Sequence, residues 1–130
     1  MAADSFILLR LVDSDVQTLG HVGAALLITT PFAAALAATS APELAVLGLV
    51  VAVSVSSLPD VDQSLPIEHR GPTHTVWFVV GYAVVAAGVC WLVAPEVSGV
   101  VGTAVALSLT SHLLADSITP MGIRPLLPLS

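Results

Sequence analysis

Residues 75–95 read TVWFVVGYAVVAAGVCWLVAP and contain no Asp, Glu, Lys or Arg. A helix needs about 20 apolar residues to cross a hydrocarbon core roughly 30 Å thick, and this stretch is long enough. No polar stripe recurs within it at helical spacing, so the helix is apolar on all sides. The stretch therefore predicts a transmembrane helix.

Three further stretches lack these charged residues, at 22–42, 44–59 and 97–115. Together the four predict an all-α fold, an integral membrane bundle of four transmembrane helices in two hairpins. Residues 1–19 differ, because Asp13 and Asp15 follow an apolar run that no basic residue precedes, which argues against a secretory signal peptide. We expect 1–19 to form a short N-terminal interfacial helix and 20–130 to form the four-helix membrane domain.

The composition favours lipid as the surroundings of most of the chain. Of the 130 residues 56% are hydrophobic and 9% are charged, whereas soluble domains carry about 25% charged residues. A buried soluble bundle is the alternative, but few polar residues remain to cover it. Lysine is absent and the net charge is −6, which excludes a nucleic-acid binder that neutralises phosphates. The single Cys90 excludes an internal disulfide and a CxxC metal site.

The arginines predict the orientation in the membrane. Arg10 precedes the first span, Arg70 lies between the second and third, and Arg124 follows the fourth. With four spans these positions share one side, and the opposite loops carry no positive charge. The positive-inside rule then places both termini and the central loop in the cytoplasm, for a multi-pass protein of the inner (cytoplasmic) membrane.

Histidine and aspartate gather on that same side, near the ends of the spans. Ionisable groups at membrane depth are costly and indicate a functional site, and imidazole and carboxylate are ligands that zinc and manganese accept. The residues in question are His21, Asp60, Asp62, His69, His74, His112 and Asp116.

The strongest local pattern is His112 with Asp116, since a spacing of four places both on one helix face. A hydrogen bond between the two within the helix is the alternative. Asp60 and Asp62 follow Pro59, and we favour Asp60 as a ligand and Asp62 as a bridging or supporting carboxylate. An ordinary acidic loop is the alternative for that pair.

A turn at Gly71-Pro72 allows His69 and His74 to converge. Arg70 between them is predicted to clamp a phosphate or another oxyanion, and the alternative is an anchor at the membrane surface. Thr73 is predicted to cap the third helix. Two residues stay open: His21 is a ligand or an interfacial residue, and Glu68 is a general base or a supporting residue.

The predicted ligands exceed the needs of one tetrahedral zinc. The six predicted ligands are His21, Asp60, His69, His74, His112 and Asp116. The predicted catalytic residues are Arg70, Asp62 and Glu68. A two-metal centre would polarise a phosphoryl or acyl oxygen and activate water. The motifs HExxH and GxSxG and a Walker loop are absent from the sequence.

Four motifs in this order resemble the membrane-bound metal-dependent hydrolases described as LexA-binding and inner membrane-associated (YdjM-like). They are His21, LPDVD at 58–62, HRGPTHT at 69–75 and SHLLADSITPMG at 111–122. The resemblance covers about residues 20–128 and implies a small multispanning protein with a divalent-metal hydrolase site. It implies the same six ligands, with Thr119 in support. The ligand order is also distantly similar to that of zinc-dependent phospholipase C and related single-strand nucleases.

The sequence therefore favours a membrane-bound metal-dependent hydrolase of a phosphoester or lipid-type substrate at the cytoplasmic face. Zinc or manganese is the expected cofactor, and the bilayer and a small-molecule or lipid substrate are the expected partners. Two alternatives remain. One is a non-catalytic membrane protein whose cluster binds a structural ion or a partner, and the other is an ion-coupled carrier.

Overall fold

The structure is a computed structural model that describes the backbone of residues 2–39 and 41–129 and the side chains of those residues from Val16 onward. It contains four α-helices: α1 (Ala2–Ala38), α2 (Pro42–Val55), α3 (Val76–Val93) and α4 (Pro95–Ser117). Two 3₁₀ helices, Leu58–Ser64 and Pro72–His74, lie in the connection between α2 and α3. The described residues form no strand, so the all-α prediction is confirmed.

Four segments are long and apolar enough to cross a membrane. They are Val16–Ala38, Pro42–Ser64, Val76–Val93 and Pro95–Ser117. The prediction of four spans in two hairpins is thus confirmed. The N-terminal residues continue into the first span as one helix. Whether 1–19 lie in the membrane interface stays a prediction, and the side chain of Arg10 lies outside the described part.

Local sequence explains where the helices begin. Pro42 and Pro95 stand in the first turns of α2 and α4, each followed by a glutamate. Proline fits the first helical position, and an acidic residue there favours the helix dipole. Thr75, rather than Thr73, caps α3, because its Oγ1 accepts the N–H of Phe78 at 3.2 Å.

Helix α4 is the centre of the bundle and packs against each of the other three helices. Its Val105, Leu109 and Leu113 form the apolar core with Val79 of α3. The Ser108 hydroxyl donates to the carbonyl of Ala52 at 2.6 Å, which ties α4 to α2. Exposed apolar side chains cover α3, as expected for a helix that faces lipid.

The antiparallel threading gathers four parts of the chain at one end of the bundle. They are the turn of α1 around His21, the 3₁₀ helix after α2, the loop before α3 and the last turns of α4. The histidines and aspartates singled out above lie in these parts. The fold therefore supplies one place where distant residues meet.

Candidate metal centre

His112 on α4 is fully buried and its ring is fixed from one side. Its Nδ1 lies 2.7 Å from the carbonyl oxygen of Ser56. A carbonyl only accepts, so Nδ1 carries the hydrogen and donates it. The Nε2 atom of neutral His112 therefore presents a lone pair to the cluster.

His74 ends the short 3₁₀ helix and is likewise fully buried. The Thr73 hydroxyl donates its one hydrogen to Asp62 Oδ2 at 2.9 Å, so it accepts the Nδ1–H of His74 at 3.1 Å. Neutral His74 therefore also presents a lone pair on Nε2. The two Nε2 atoms lie 3.3 Å apart.

Asp116 lies one turn after His112 on the same helix face. Its Oδ2 atom is 3.4 Å from Nε2 of His112 and 3.1 Å from Nε2 of His74. This oxygen is buried and makes no hydrogen bond. Three acceptor atoms thus face one another in a space that is closed to water.

Asp60 completes the group from the 3₁₀ helix that follows Pro59. Its Oδ1 atom lies 3.7 Å from Nε2 of His74 and 3.8 Å from Nε2 of His112. Its side chain is 21% exposed, so it is the side of the group that faces solvent. One ligand atom of each of Asp60, His74, His112 and Asp116 lies within 4.8 Å of the others.

These four residues fit a metal ion. Ligand atoms of a tetrahedral site with bonds of about 2.0–2.2 Å stand roughly 3.3–3.6 Å apart. The five separations given above span 3.1 to 3.8 Å, and the sixth, between the ligand oxygens of Asp60 and Asp116, is within 4.8 Å. Facing lone pairs repel unless a cation lies between them, and a divalent ion would serve.

A proton serves as the cation when no metal is bound. Burial by itself would lower the pKa of His74, but the nearby carboxylates of Asp116, Asp60 and Asp62 outweigh it and raise that pKa to about 9. A metal ion that binds here must therefore displace a proton from His74.

His21 stacks on His112 at the outer side of the group. The ring centroids are 3.8 Å apart and the planes differ by 18°. Its Nε2 lies 3.7 Å from Oδ2 of Asp60 and 3.7 Å from Oδ1 of Asp116, which are the oxygens that turn away from His74. His21 therefore contacts the second oxygen of each carboxylate.

Arg70 occupies the same outer side. Its guanidinium donates to Oδ1 of Asp116 at 3.0 Å, to the Thr119 hydroxyl at 2.6 Å and to the carbonyl of Gly122 at 3.2 Å. Its Nε is buried and has no partner. The structure thus places Arg70 at the site and shows that its fork holds the end of α4 and the residues after it.

Asp62 lies behind His74 and joins the loop together. Its side chain is fully buried and accepts hydrogen bonds from the backbone N–H of Arg70, from Thr73 and from Nδ1 of His69, at 2.8 to 2.9 Å. It also lies 3.3 Å from Nδ1 of His74. Both of its oxygens are occupied, so its contacts are those of a positioning group.

His69 and Glu68 lie farther from the four central residues. His69 is 38% exposed, and its Nδ1 pairs with Asp62 at 2.8 Å. Asp60, Asp62 and His69 form a second, more exposed group of acceptor atoms. Glu68 is two-thirds exposed and pairs with Arg124 at 2.5 Å.

A cavity of about 410 Å³ opens onto this centre. Polar and charged side chains dominate its wall: Gln17, His21, Asp60, Gln63, His69, Arg70, Asp116 and Thr119. Sequence reasoning missed Gln17 and Gln63, which no motif marks. It also missed the Ser56 carbonyl, because a backbone acceptor leaves no trace in residue type.

The fold and the site define a multispanning membrane protein with a buried histidine–aspartate group that could hold a metal ion. The chain belongs to the YdjM inner membrane protein family, whose model matches residues 16–130. The resemblance inferred from the four motifs is thereby confirmed. No curated protein and no solved structure matches the chain significantly.

Proposed function

We propose that the protein is a membrane-bound, metal-dependent hydrolase. The observation that carries the proposal is the set of near-tetrahedral separations among Asp60, His74, His112 and Asp116 beside an open polar cavity. A purely structural ion would need no such opening. A carrier would place its ionisable groups near the middle of the membrane, whereas these groups lie at helix ends.

Zinc is the metal that we propose first. Two imidazoles and two carboxylates are a donor set that zinc accepts in a four-coordinate site. Manganese prefers oxygen ligands. Because Asp60 faces solvent, there would be room for water oxygens beside a bound manganese ion. A bound divalent ion would supply a Lewis acid that polarises a phosphoryl oxygen and lowers the pKa of a water molecule.

A phosphoester is the substrate class that the charges favour. Three buried or partly buried carboxylates, Asp60, Asp62 and Asp116, lie at the centre, and the guanidinium of Arg70 donates to one of them, Asp116. A divalent ion would balance this excess of negative charge, and the ion and Arg70 would be the positive groups available to a phosphate oxygen. We propose that Arg70 fixes Asp116 through one nitrogen and lends positive charge to the cavity.

His69 is the group that we propose for proton transfer. Hydrolysis joins a water oxygen to phosphorus and breaks the bond from phosphorus to the leaving oxygen, which must gain a proton. His69 lines the cavity, and its Nδ1–H donates to Asp62. Its Nε2 can therefore take a proton from water and return it to the leaving oxygen.

We place the centre at the cytoplasmic face of the inner membrane, with both termini on that side. Arg70 and Arg124 lie at the same end of the bundle as the centre, which agrees with the positive-inside rule. A non-catalytic role with a structural ion is the second candidate. The full burial of His74 and His112 favours it.

Purified protein in detergent tests the proposal. We expect it to retain about one zinc or manganese ion per chain and to hydrolyse p-nitrophenyl phosphate or bis(p-nitrophenyl) phosphate. Chelation should abolish hydrolysis and re-addition of metal should restore it. His112→Ala should remove both metal and activity, and Glu43→Gln in the first turn of α2 is the control. Retained metal without hydrolysis of either ester would favour the structural ion.

A further inference from the structure

We propose that the substrate is a membrane lipid with a phosphate headgroup, and that it reaches the centre sideways between α1 and α4. One hydrocarbon chain would lie in an apolar groove between these helices while the headgroup enters the polar cavity. The proposal rests on the proposed function and names its substrate class and its route.

The groove has a volume of about 330 Å³ and lies on the surface that faces lipid. Leu27 and Ile28 of α1 line one wall, and Leu114 lines the other together with Ile118 just after α4. Leu27 is 76% exposed and Ile118 is 86% exposed. Along α4 the groove runs from Ser111 to Ser117, roughly 9 Å of helix.

The helical walls of the groove belong to the membrane spans Val16–Ala38 and Pro95–Ser117. We therefore expect hydrocarbon rather than water around the exposed side chains of these two helices. A lipid chain that enters the groove exchanges one apolar surrounding for another and loses no hydration. The occupant that matches this surface is an acyl or similar hydrocarbon chain.

The groove and the polar cavity meet at one residue. Ala115 lines both of them, and its neighbour Asp116 belongs to the metal-binding group. On the facing helix, Ala24 lines the groove one turn after His21, which lines the cavity. A molecule in the groove thus has its polar end directed at the centre.

Two other apolar grooves share no wall with the polar cavity. One lies between α3 and α4 near Val80 and Thr110, and another lies near Ala106. Neither shares a lining residue with the polar cavity. The shared residue Ala115 therefore distinguishes the α1–α4 groove from these two grooves.

The chemistry of the two compartments matches an amphiphile. The cavity offers Arg70 and the metal-binding group to a phosphate, and the groove offers apolar side chains to a chain. Packing of the chain in the groove would orient the phosphate for the reaction. A water-soluble phosphoester would fill the cavity alone and leave the groove unused.

Photo-crosslinking of the unaltered protein tests the groove without reference to activity. The probe is phosphatidic acid with a diazirine in one acyl chain, in phosphatidylcholine vesicles. We expect labelling at Leu27, Ile28 and Ile118, which do not line the groove near Val80, to exceed labelling at Val80 at least fivefold. Unlabelled phosphatidic acid should compete. Equal labelling of both grooves, or labelling that unlabelled phosphatidic acid leaves unchanged, would overturn the proposal.

A matched pair of variants tests the route. Ala24→Leu fills the groove and Ala106→Leu fills the separate groove, and both alanines are half-buried. We expect Ala24→Leu to lower the ratio of phosphatidic acid hydrolysis to p-nitrophenyl phosphate hydrolysis at least tenfold. Ala106→Leu should leave that ratio within twofold of the original.

The outcomes separate this inference from the proposed function. If the metal-loaded protein hydrolyses neither ester, the proposed function fails, and crosslinking alone decides whether lipid occupies the groove. If both esters are hydrolysed and Ala24→Leu leaves their ratio unchanged, the lipid route is wrong and the hydrolase stands. Should Ala24→Leu fail to fold, the crosslinking of the unaltered chain still decides.

Discussion

The Nε2 atoms of His74 and His112 face each other at 3.3 Å, although 38 positions separate the two residues in the chain. Each ring is turned by a contact on its other nitrogen, with Thr73 for His74 and with the Ser56 carbonyl for His112. These contacts direct both lone pairs inward. A cation between the rings would stabilise such an arrangement, which is why metal binding is the most direct test of the site.

Removal of a central ligand should remove the metal. We expect His112→Ala and Asp116→Ala each to weaken zinc binding at least 100-fold, and the double variant to retain none. Three donors remain in each single variant, but Asp60 is 21% exposed and can turn to water. Metal content after dialysis against a weak chelator measures the effect. Glu96→Gln, in the first turn of α4, is the control. Unchanged metal content in the double variant would contradict the assignment.

Asp62 is expected to act through its neighbours. Asp62→Asn keeps the size of the side chain but replaces one carboxylate oxygen with an amide nitrogen, which cannot accept a hydrogen bond. Some of the donors that bind Oδ1 and Oδ2 would then lose their acceptor. Supporting residues of this kind change metal affinity by about 10–100-fold. We expect a loss of that size, measured as a zinc dissociation constant in detergent. The helical circular dichroism should be unchanged, and affinity within twofold of the original would argue against a positioning role.

The fold could be predicted because membrane insertion depends on one simple quantity, the length of an uncharged apolar run. The runs at 22–42 and 75–95 reach the length of a span, whereas those at 44–59 and 97–115 are shorter. The resulting topology placed the histidines at one end. The spacing of His112 and Asp116 was also sufficient, since helical geometry alone puts both on one face.

Other features depend on three-dimensional contacts that residue types do not reveal. Thr73 was expected to cap α3, but its hydroxyl is taken by Asp62, and Thr75 provides the cap instead. Arg70 was expected at an anion, and its fork proves to be engaged by Asp116 and the segment after α4. The backbone of Arg70 is left-handed, with φ of 57°. Residue type did not predict this conformation, because glycine is the usual residue in it.

The backbone of Arg70 offers a test of strain that is separate from its charge. Left-handed φ costs about 1–2 kcal/mol for residues that carry a Cβ, and glycine avoids that cost. Arg70→Ala and Arg70→Gly both remove the guanidinium. Because only the alanine variant keeps the strain, we expect Arg70→Gly to be more stable by about 1 kcal/mol, after the greater freedom of unfolded glycine is allowed for. Urea unfolding in mild detergent measures the difference, and equal stabilities would argue against the left-handed conformation.

His69 and Glu68 are rival candidates for proton transfer, and kinetics can separate them. His69 lines the cavity and is oriented by Asp62, whereas Glu68 is exposed and paired with Arg124. A positioned general base or acid contributes about 10²–10⁴-fold to the rate. We therefore expect His69→Gln to lower kcat by at least 100-fold while zinc content stays at the original level, because the four central ligands are untouched. Glu68→Gln should lower kcat far less, since loss of an exposed ion pair leaves the cavity unchanged. If Glu68→Gln lowered kcat more than His69→Gln, the role in proton transfer would belong to Glu68. Loss of zinc from His69→Gln would instead make His69 a metal ligand, together with Asp60 and Asp62 of the second acceptor group.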